Sequence, residues 1–211
     1  LVGKARSLEL NFESLPISEQ PKMLQAMAKE WAKWQQFGAT KPLSQKEFEK
    51  LSEKGARVIG TRWVLTRKDS GYKARLVVQG CQENKNQIRS DAPTGSLTAF
   101  YLTLAAAAQK GWTLSGFDAA SAFLQSEGIE RTLLLRMPGK QPPSGTRPYQ
   151  VFRALGSIYG TRDAGRAWYR HLKQSLSDLA LSDRSCIGSD IIVAHSSVAW
   201  MPLQKRHLSV H

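Results

Sequence analysis

Acidic side chains are scarce in this chain. Asp and Glu number 17 against 30 Lys and Arg, a formal charge of +13 at pH 7. Such a balance points to a polyanionic partner, most often nucleic acid; a basic globular protein with no such partner is the alternative. The shortage of acids is uneven: residues 57–117 carry 9 basic and 3 acidic groups, residues 183–211 only 3 and 2. The excess therefore lies mid-chain and is not a basic tail. Cysteine is rarer still. Cys81 and Cys186 form no C-x-x-C pair, which excludes a disulfide framework and a cysteine zinc site and fits reduced thiols in an intracellular protein. His207 and His211 are four apart but have no acidic partner, so no metal is expected there. No apolar run reaches ~18 residues, so no membrane span is expected. The first residues, LVGKARSLEL, contain neither an initiator Met nor a signal peptide, and a piece of something longer is expected. Finally, no two Asp residues are adjacent anywhere in the sequence.

What is present suits a globular fold. Hydrophobic residues make up 41% of the chain and include six Trp, enough to bury a core. Residues 1–17 look irregular. Met23, Leu24, Met27, Trp31 and Trp34 recur at helical spacing and predict a helix over 20–37. Ser44 with Glu47 is a capping box that opens a second helix, ended by Gly55. Residues 57–80, RVIGTRWVLTRKDSGYKARLVVQG, are rich in β-branched and aromatic side chains and are interrupted by Asp69-Ser70-Gly71. That pattern predicts a hairpin, with WVL and LVV on its buried side and Arg62, Arg67, Lys68, Lys73 and Arg75 as a basic cluster near the tip. Residues 81–96 are loop-like. An Ala-rich helix is expected over 97–110, capped by Ser96 and closed by Gly111. WTLSGFD predicts a strand ending at Asp118, followed by strands at 132–137 and 149–153. An amphipathic helix over 162–180 has Trp168, Leu172, Leu176 and Leu179 on one side. The mixed order argues for an α+β fold.

Four blocks carry a resemblance. TRWVLTRKDSGYKARLVVQG is similar to the fingers hairpin of Ty1/copia-type reverse transcriptases. GFDAASAFLQSEGIERTLLLRMPGK resembles that family's first catalytic motif and the following strand. VFRALGSIYGTRDAGRAWYRHL resembles its aromatic-Gly turn and A-R-x-W helix, and AMAKEWAKWQQFGATKPL the helix before the fingers. Cover runs from about residue 24 to about residue 186, in the family's order. The resemblance implies fingers plus part of a palm over residues 18–182, and copying of an RNA template into DNA with two Mg²⁺ ions. A template-primer and a deoxynucleoside triphosphate (dNTP) would be the partners, with other segments of a parent polyprotein possible, in cytoplasm or nucleus. It also implies Asp118 as a metal ligand, for which a helix N-cap is the bland alternative. Nucleotidyl transfer needs carboxylates that hold two cations about 3.5–4 Å apart. Phe123 would pack beneath the incoming sugar, with plain core packing as its alternative. Arg67, Lys68, Lys73 and Arg75 would meet the triphosphate, and otherwise form a solvated face. Tyr159 and Gly160 would lie beside the nascent pair. Arg162 stands where the family has Lys, and Asp163 departs from its pattern.

The larger departure is downstream. The family carries an aromatic-x-Asp-Asp hairpin some tens of residues past the A-R-x-W helix. Here SDRSCIGSD, with Asp183 and Cys186 in place, runs into IIVAHSSVAWMPLQKRHLSVH, and Asp190 precedes that run in a context unlike the missing motif. Residues 183–211 are therefore expected to be an irregular, divergent or frame-shifted tail. With those palm strands absent, Leu133, Leu135 and the long helices are expected to be left uncovered. One carboxylate underdetermines a two-metal clamp, so impaired activity is expected. A non-catalytic remnant that holds nucleic acid through the hairpin 57–80 is the competing expectation. A structural basic protein of ribosomal type would explain the charge but not the ordered motifs.

Overall fold

The computed structural model describes residues 9–69, 71–84, 88–92, 96–126, 128–129, 131–182, 193–195 and 198–203. Residues 113–118, 179–182 and the last two segments are described by their backbone alone. Asp183, Cys186, Asp190, His207 and His211 lie outside the described residues. In chain order the elements are β1 (Glu9–Leu10), α1 (Gln20–Gln36), β2 (Thr40–Pro42), α2 (Gln45–Glu53), β3 (Arg57–Lys68), β4 (Gly71–Val78) and α3 (Leu97–Lys110). They continue with β5 (Thr113–Asp118), α4 (Ala122–Gln125), β6 (Leu133–Arg136), β7 (Val151–Ala154), α5 (Ala164–Ser182), β8 (Val193–His195) and β9 (Val198–Leu203). The fold is mixed α and β, as expected.

A six-stranded sheet runs β1-β3-β6-β7-β2, with β4 paired to β3 off that path. β3 is long enough to serve three partners. Its first residues pair in parallel with β6, Arg57 opposite Leu133 through Gly60 opposite Arg136. Its remainder pairs antiparallel with β4, from Thr61 opposite Val78 to Lys68 opposite Gly71. The paired strands thus close at Lys68 opposite Gly71, where the Asp69-Ser70-Gly71 sequence predicts the reversal. β1 adds two residues beside Thr66 and Leu65, a short strand within a segment that has no strand pattern of its own.

The core lies between α1 and this sheet. Met23, Met27, Trp31 and Trp34 are buried, with Glu30 among them. Leu24 instead lies 45% exposed, because its place in the turn carries it off the buried stripe. Trp31 and Trp34 pack with Ile59, Leu76, Leu133, Leu135 and Phe152, and the Trp31 and Phe152 rings meet edge to face at 5.7 Å. Burying each such side chain contributes roughly 1.5–3 kcal/mol.

The expectation that Leu133 and Leu135 are uncovered is overturned: they are 3% and 0% exposed, and Leu134 is 0% exposed. β6 sits inside the sheet between β3 and β7, and a continuous leucine run is the pattern of a strand covered on both faces. The helix α3 does leave Leu97, Tyr101 and Leu102 exposed. It starts at Ser96, whose hydroxyl accepts from the Ala99 N–H, and ends at Gly111 in a left-handed conformation.

The tail is a second correction. Its described part is not irregular: β8 and β9 form an antiparallel hairpin that extends β5, in the order β5-β9-β8. Thr113 to Asp118 pair with Leu203 to Val198. Strand formation asks only for apolar and β-branched residues, which VAH and VAWMPL supply whatever their origin.

Candidate nucleotide-binding site

The site forms where the end of β4 meets the turn before α5. The Val78 N–H donates to the Tyr159 carbonyl at 2.8 Å. Gly160 has φ +94, and a Cβ built on it would lie 2.1 Å from the Val78 carbonyl oxygen. A Cβ on Gly80 would lie 2.0 Å from the Gly160 carbonyl oxygen. Backbone meets backbone at this joint, and only glycine permits it at either position.

The joint fixes Tyr159 between two other predicted residues. The Arg75 guanidinium carbon is 5.6 Å from the Tyr159 ring centroid, and the Phe123 ring meets Tyr159 edge to face at 5.1 Å. Arg75 comes from the hairpin, Phe123 from α4 and Tyr159 from the turn, so three separate elements converge. Arg75 is exposed and Phe123 and Tyr159 are half-buried. The contact leaves a cation and two aromatic faces beside one another.

Asp118 is the last residue of β5, with its Cα opposite Val198. The helix that follows begins at Ala122 with Ser121 in the N-cap position, so Asp118 is not that helix's cap. Ser121 has φ 58, a left-handed turn between strand and helix.

The predicted hairpin cations do not form one group. Side chains alternate across a strand, and directly opposed residues share a face. Tyr72, Ala74 and Leu76 therefore face the core with Arg67, Leu65 and Trp63, whereas Lys73 and Arg75 share the other face with Lys68, Thr66 and Val64. On the core side, Arg67 donates to Glu19 and to the Tyr72 hydroxyl, and Tyr72 donates to Glu19. Arg67 is thus committed to tying the hairpin to the start of α1, away from Arg75. On the other side, burial and then Arg75, Lys68 and Lys33 push the Lys73 ammonium below its usual value. Crowded like charges of this kind favour a bound anion. Glu30 is nearby; burial pushes its carboxyl up, against the pull of Lys33, the Leu76 backbone, Arg75 and Lys73.

A second cluster stands behind the turn and has no signal in the local sequence. The Arg131 guanidinium donates to Glu83 at 2.6 and 3.1 Å and to Asp163. Burial opposes the Arg131 charge, but Asp163 and Glu83 outweigh it and hold its pKa above the usual value. The Glu83 side chain is 2% exposed, and its other oxygen accepts from the Arg162 backbone N–H at 3.1 Å. Asp163, a departure from the family pattern, is therefore a partner of Arg131. Arg162 contributes its backbone here, and its Nε is buried without a hydrogen-bond partner.

The described side chains, which do not include that of Asp118, do not by themselves supply a site for a pair of divalent cations. Among the described residues no three His, Cys, Asp or Glu side chains come together. Glu83 and Asp163, the acids behind the turn, are spent on Arg131.

Comparison with known proteins gives the fold its relatives. Residues 49–194 match the family model described as reverse transcriptase (RNA-dependent DNA polymerase). The retrovirus-related Pol polyprotein from transposon RE2 of Arabidopsis thaliana is 30% identical over 127 residues, 56% of this chain and 9% of that protein. The Pol polyprotein from transposon TNT 1-94 of Nicotiana tabacum is 27% identical over 177 residues, 80% of this chain and 13% of its own length. The Ty1-NL2 Gag-Pol polyprotein of Saccharomyces cerevisiae is 28% identical over 123 residues, 57% of the chain. The chain thus spans only about a tenth of the length of these polyproteins. With a family match over most of its length, the chain belongs to the reverse transcriptase family of Ty1/copia-type retrotransposon polyproteins.

Proposed function

We propose that this chain is the fingers and part of the palm of an RNA-directed DNA polymerase, retaining the cradle for an incoming dNTP but not a full catalytic centre. The observation that carries this reading is the meeting of Arg75, Tyr159 and Phe123. Arg75, with Lys68 and Lys73 on the same hairpin face, takes the triphosphate, and Phe123 and Tyr159 support the sugar and base. The cations act by charge and by N–H donation, Arg through its planar fork and Lys as a point charge.

In the parent domain the family's chemistry is nucleotidyl transfer with Mg²⁺. In this chain Asp118 is the family's first carboxylate, and Asp-Asp occurs nowhere in the sequence. Binding without efficient chemistry is the consequence. The competing reading, a nucleic-acid-binding remnant that uses the hairpin 57–80, draws on the same crowded cations, and a template-primer is the partner in both. Other segments of a polyprotein are further partners.

Fluorescence titration with a labelled dNTP tests the cradle. Arg75→Ala is expected to weaken binding about tenfold, since a hydrogen bond to a charged group contributes about 1.5–3 kcal/mol. Arg67→Ala is expected to leave the affinity within about twofold, because Arg67 faces α1. Equal losses in the two variants would contradict the assignment of Arg75.

A further inference from the structure

Glu30 is a buried acid that the triphosphate cradle leaves unused. It lies on the buried stripe of α1 with Met27, Trp31 and Trp34. It is 6% exposed, and its Oε1 has no hydrogen-bond partner. Its surroundings follow from the edge of β4. β3 pairs with one side of β4, and the Val78 N–H, which donates to the Tyr159 carbonyl, points off the other side. Backbone N–H groups alternate between the two edges of a strand, so the Leu76 N–H points off that same outer edge. There the Leu76 backbone hydrogen-bonds to the Glu30 carboxylate. The acid therefore stands at the rim of the hairpin, beside the residue that follows Arg75. The charges that act on it are all positive: Lys33 one turn along α1, and Arg75 and Lys73 on β4. Glu30 in turn supports the Lys73 ammonium against burial, Arg75, Lys68 and Lys33. A buried carboxylate is costly unless it is paired, so its charge depends on those cations remaining free to face it.

We propose that Glu30 is a proton-linked counter-ion of the hairpin cations, ionised beside Lys73 and Arg75 when the cradle is empty and protonated from solvent when a nucleoside triphosphate binds there. The proposal rests on the reading of the hairpin as a triphosphate cradle and concerns how that cradle is regulated. An arriving polyphosphate engages the same cations and adds negative charge of its own. Both changes disfavour the Glu30 carboxylate, which burial already disfavours. The carboxyl then gains a proton, and no other bond is made or broken except hydrogen bonds. Linkage fixes the sign: if the nucleotide raises the proton affinity of Glu30, a proton raises the affinity for the nucleotide by the same factor. Glu30 touches no nucleotide in this scheme. It is a positioning residue that acts through Lys73 and Arg75.

Titration with a labelled dNTP across a range of about pH 5 to about pH 9 tests it. The nucleotide's own protons titrate alike with every variant, so differences between the curves belong to the protein. Glu30→Gln keeps an acceptor for the Leu76 backbone and stands for the protonated acid. At the alkaline end it is expected to bind about fivefold more tightly than the wild type, and at the acid end the two curves are expected to merge. Lys33→Gln tests the same point without touching the core, because Lys33 is exposed. It removes a charge that favours the carboxylate, so the pH at which affinity changes is expected to rise by about 0.3. A residue that served packing alone would not move that midpoint. Parallel curves for the wild type and Glu30→Gln, or an unmoved midpoint in Lys33→Gln, overturn the proposal. If Arg75→Ala weakens binding while the curves stay parallel, the cradle stands and the role of Glu30 falls. A wild-type chain with no saturable dNTP binding at any pH would sink the cradle and the counter-ion together.

Discussion

Replacing Gly160 with alanine is expected to destabilise the chain by about 3 kcal/mol or more, and to loosen the hairpin from the turn before α5. Two costs combine. A left-handed backbone costs a residue with a Cβ on the order of 1 kcal/mol or more, and overpacking a rigid site costs about 1–3 kcal/mol. The clash cannot be relieved by a side-chain rotation, because the Cβ would meet the Val78 carbonyl oxygen at 2.1 Å and the Val78 nitrogen at 3.0 Å. The strand would have to withdraw, and the bond from the Val78 N–H to the Tyr159 carbonyl would go with it. Tyr159 would then leave its place between Arg75 and Phe123, so nucleotide binding should fall in the fraction that still folds. Gly145→Ala is the matched control. Gly145 has φ +77, but its Cβ would meet nothing within 4 Å, so strain alone is expected, about 1 kcal/mol. Urea denaturation of both variants decides the matter, and equal losses would show that the close approach at Gly160 is not tight.

Arg131→Ala should be nearly as damaging, at about 3–4 kcal/mol. The Glu83 side chain is 2% exposed and takes two donors from Arg131. Removal of the guanidinium strands that carboxylate, and an uncompensated buried charge is the costly outcome of breaking such a pair. Asp163, 20% exposed on its side chain, loses the same partner but is reached by water. Arg131→Lys offers a point charge where a fork is needed and should recover less than half of the loss. The double variant Arg131→Met with Glu83→Leu should be more stable than Arg131→Ala, because it removes the stranded charge. If that double variant is the less stable of the two in chemical denaturation, the account of Glu83 as a buried paired charge is wrong.

Much of the architecture is legible in the sequence because it is local. The hairpin 57–80 announces itself by β-branched alternation and its turn residues, and the capping serines and closing glycines mark α2 and α3. The helix α1 is legible except at Leu24, where a 3–4 spacing admits a neighbour just off the buried stripe. What is not legible is what depends on pairing across distance. Arg67 and Lys68 are adjacent, yet β3 sends them to opposite faces, so a cluster in sequence is two groups in space. Glu83, Arg131 and Asp163 are separated by 48 and 32 positions, and no periodicity links them. The burial of Leu133 and Leu135 depends on β6 lying between β3 and β7. The hairpin of β8 and β9 was obscured for a different reason: a segment that departs from its family's pattern still has the propensity to form strands.

The central claim is a retained cradle with an incomplete catalytic centre. Primer extension on an RNA template with Mg²⁺ or Mn²⁺, run on the wild type and Asp118→Ala alongside dNTP titration, tests it most directly. The expected result is saturable nucleotide binding by both proteins and no incorporation above background by either. Extension by the wild type that Asp118→Ala abolishes would contradict the account, because it would mean that this chain assembles a working metal centre without an Asp-Asp pair.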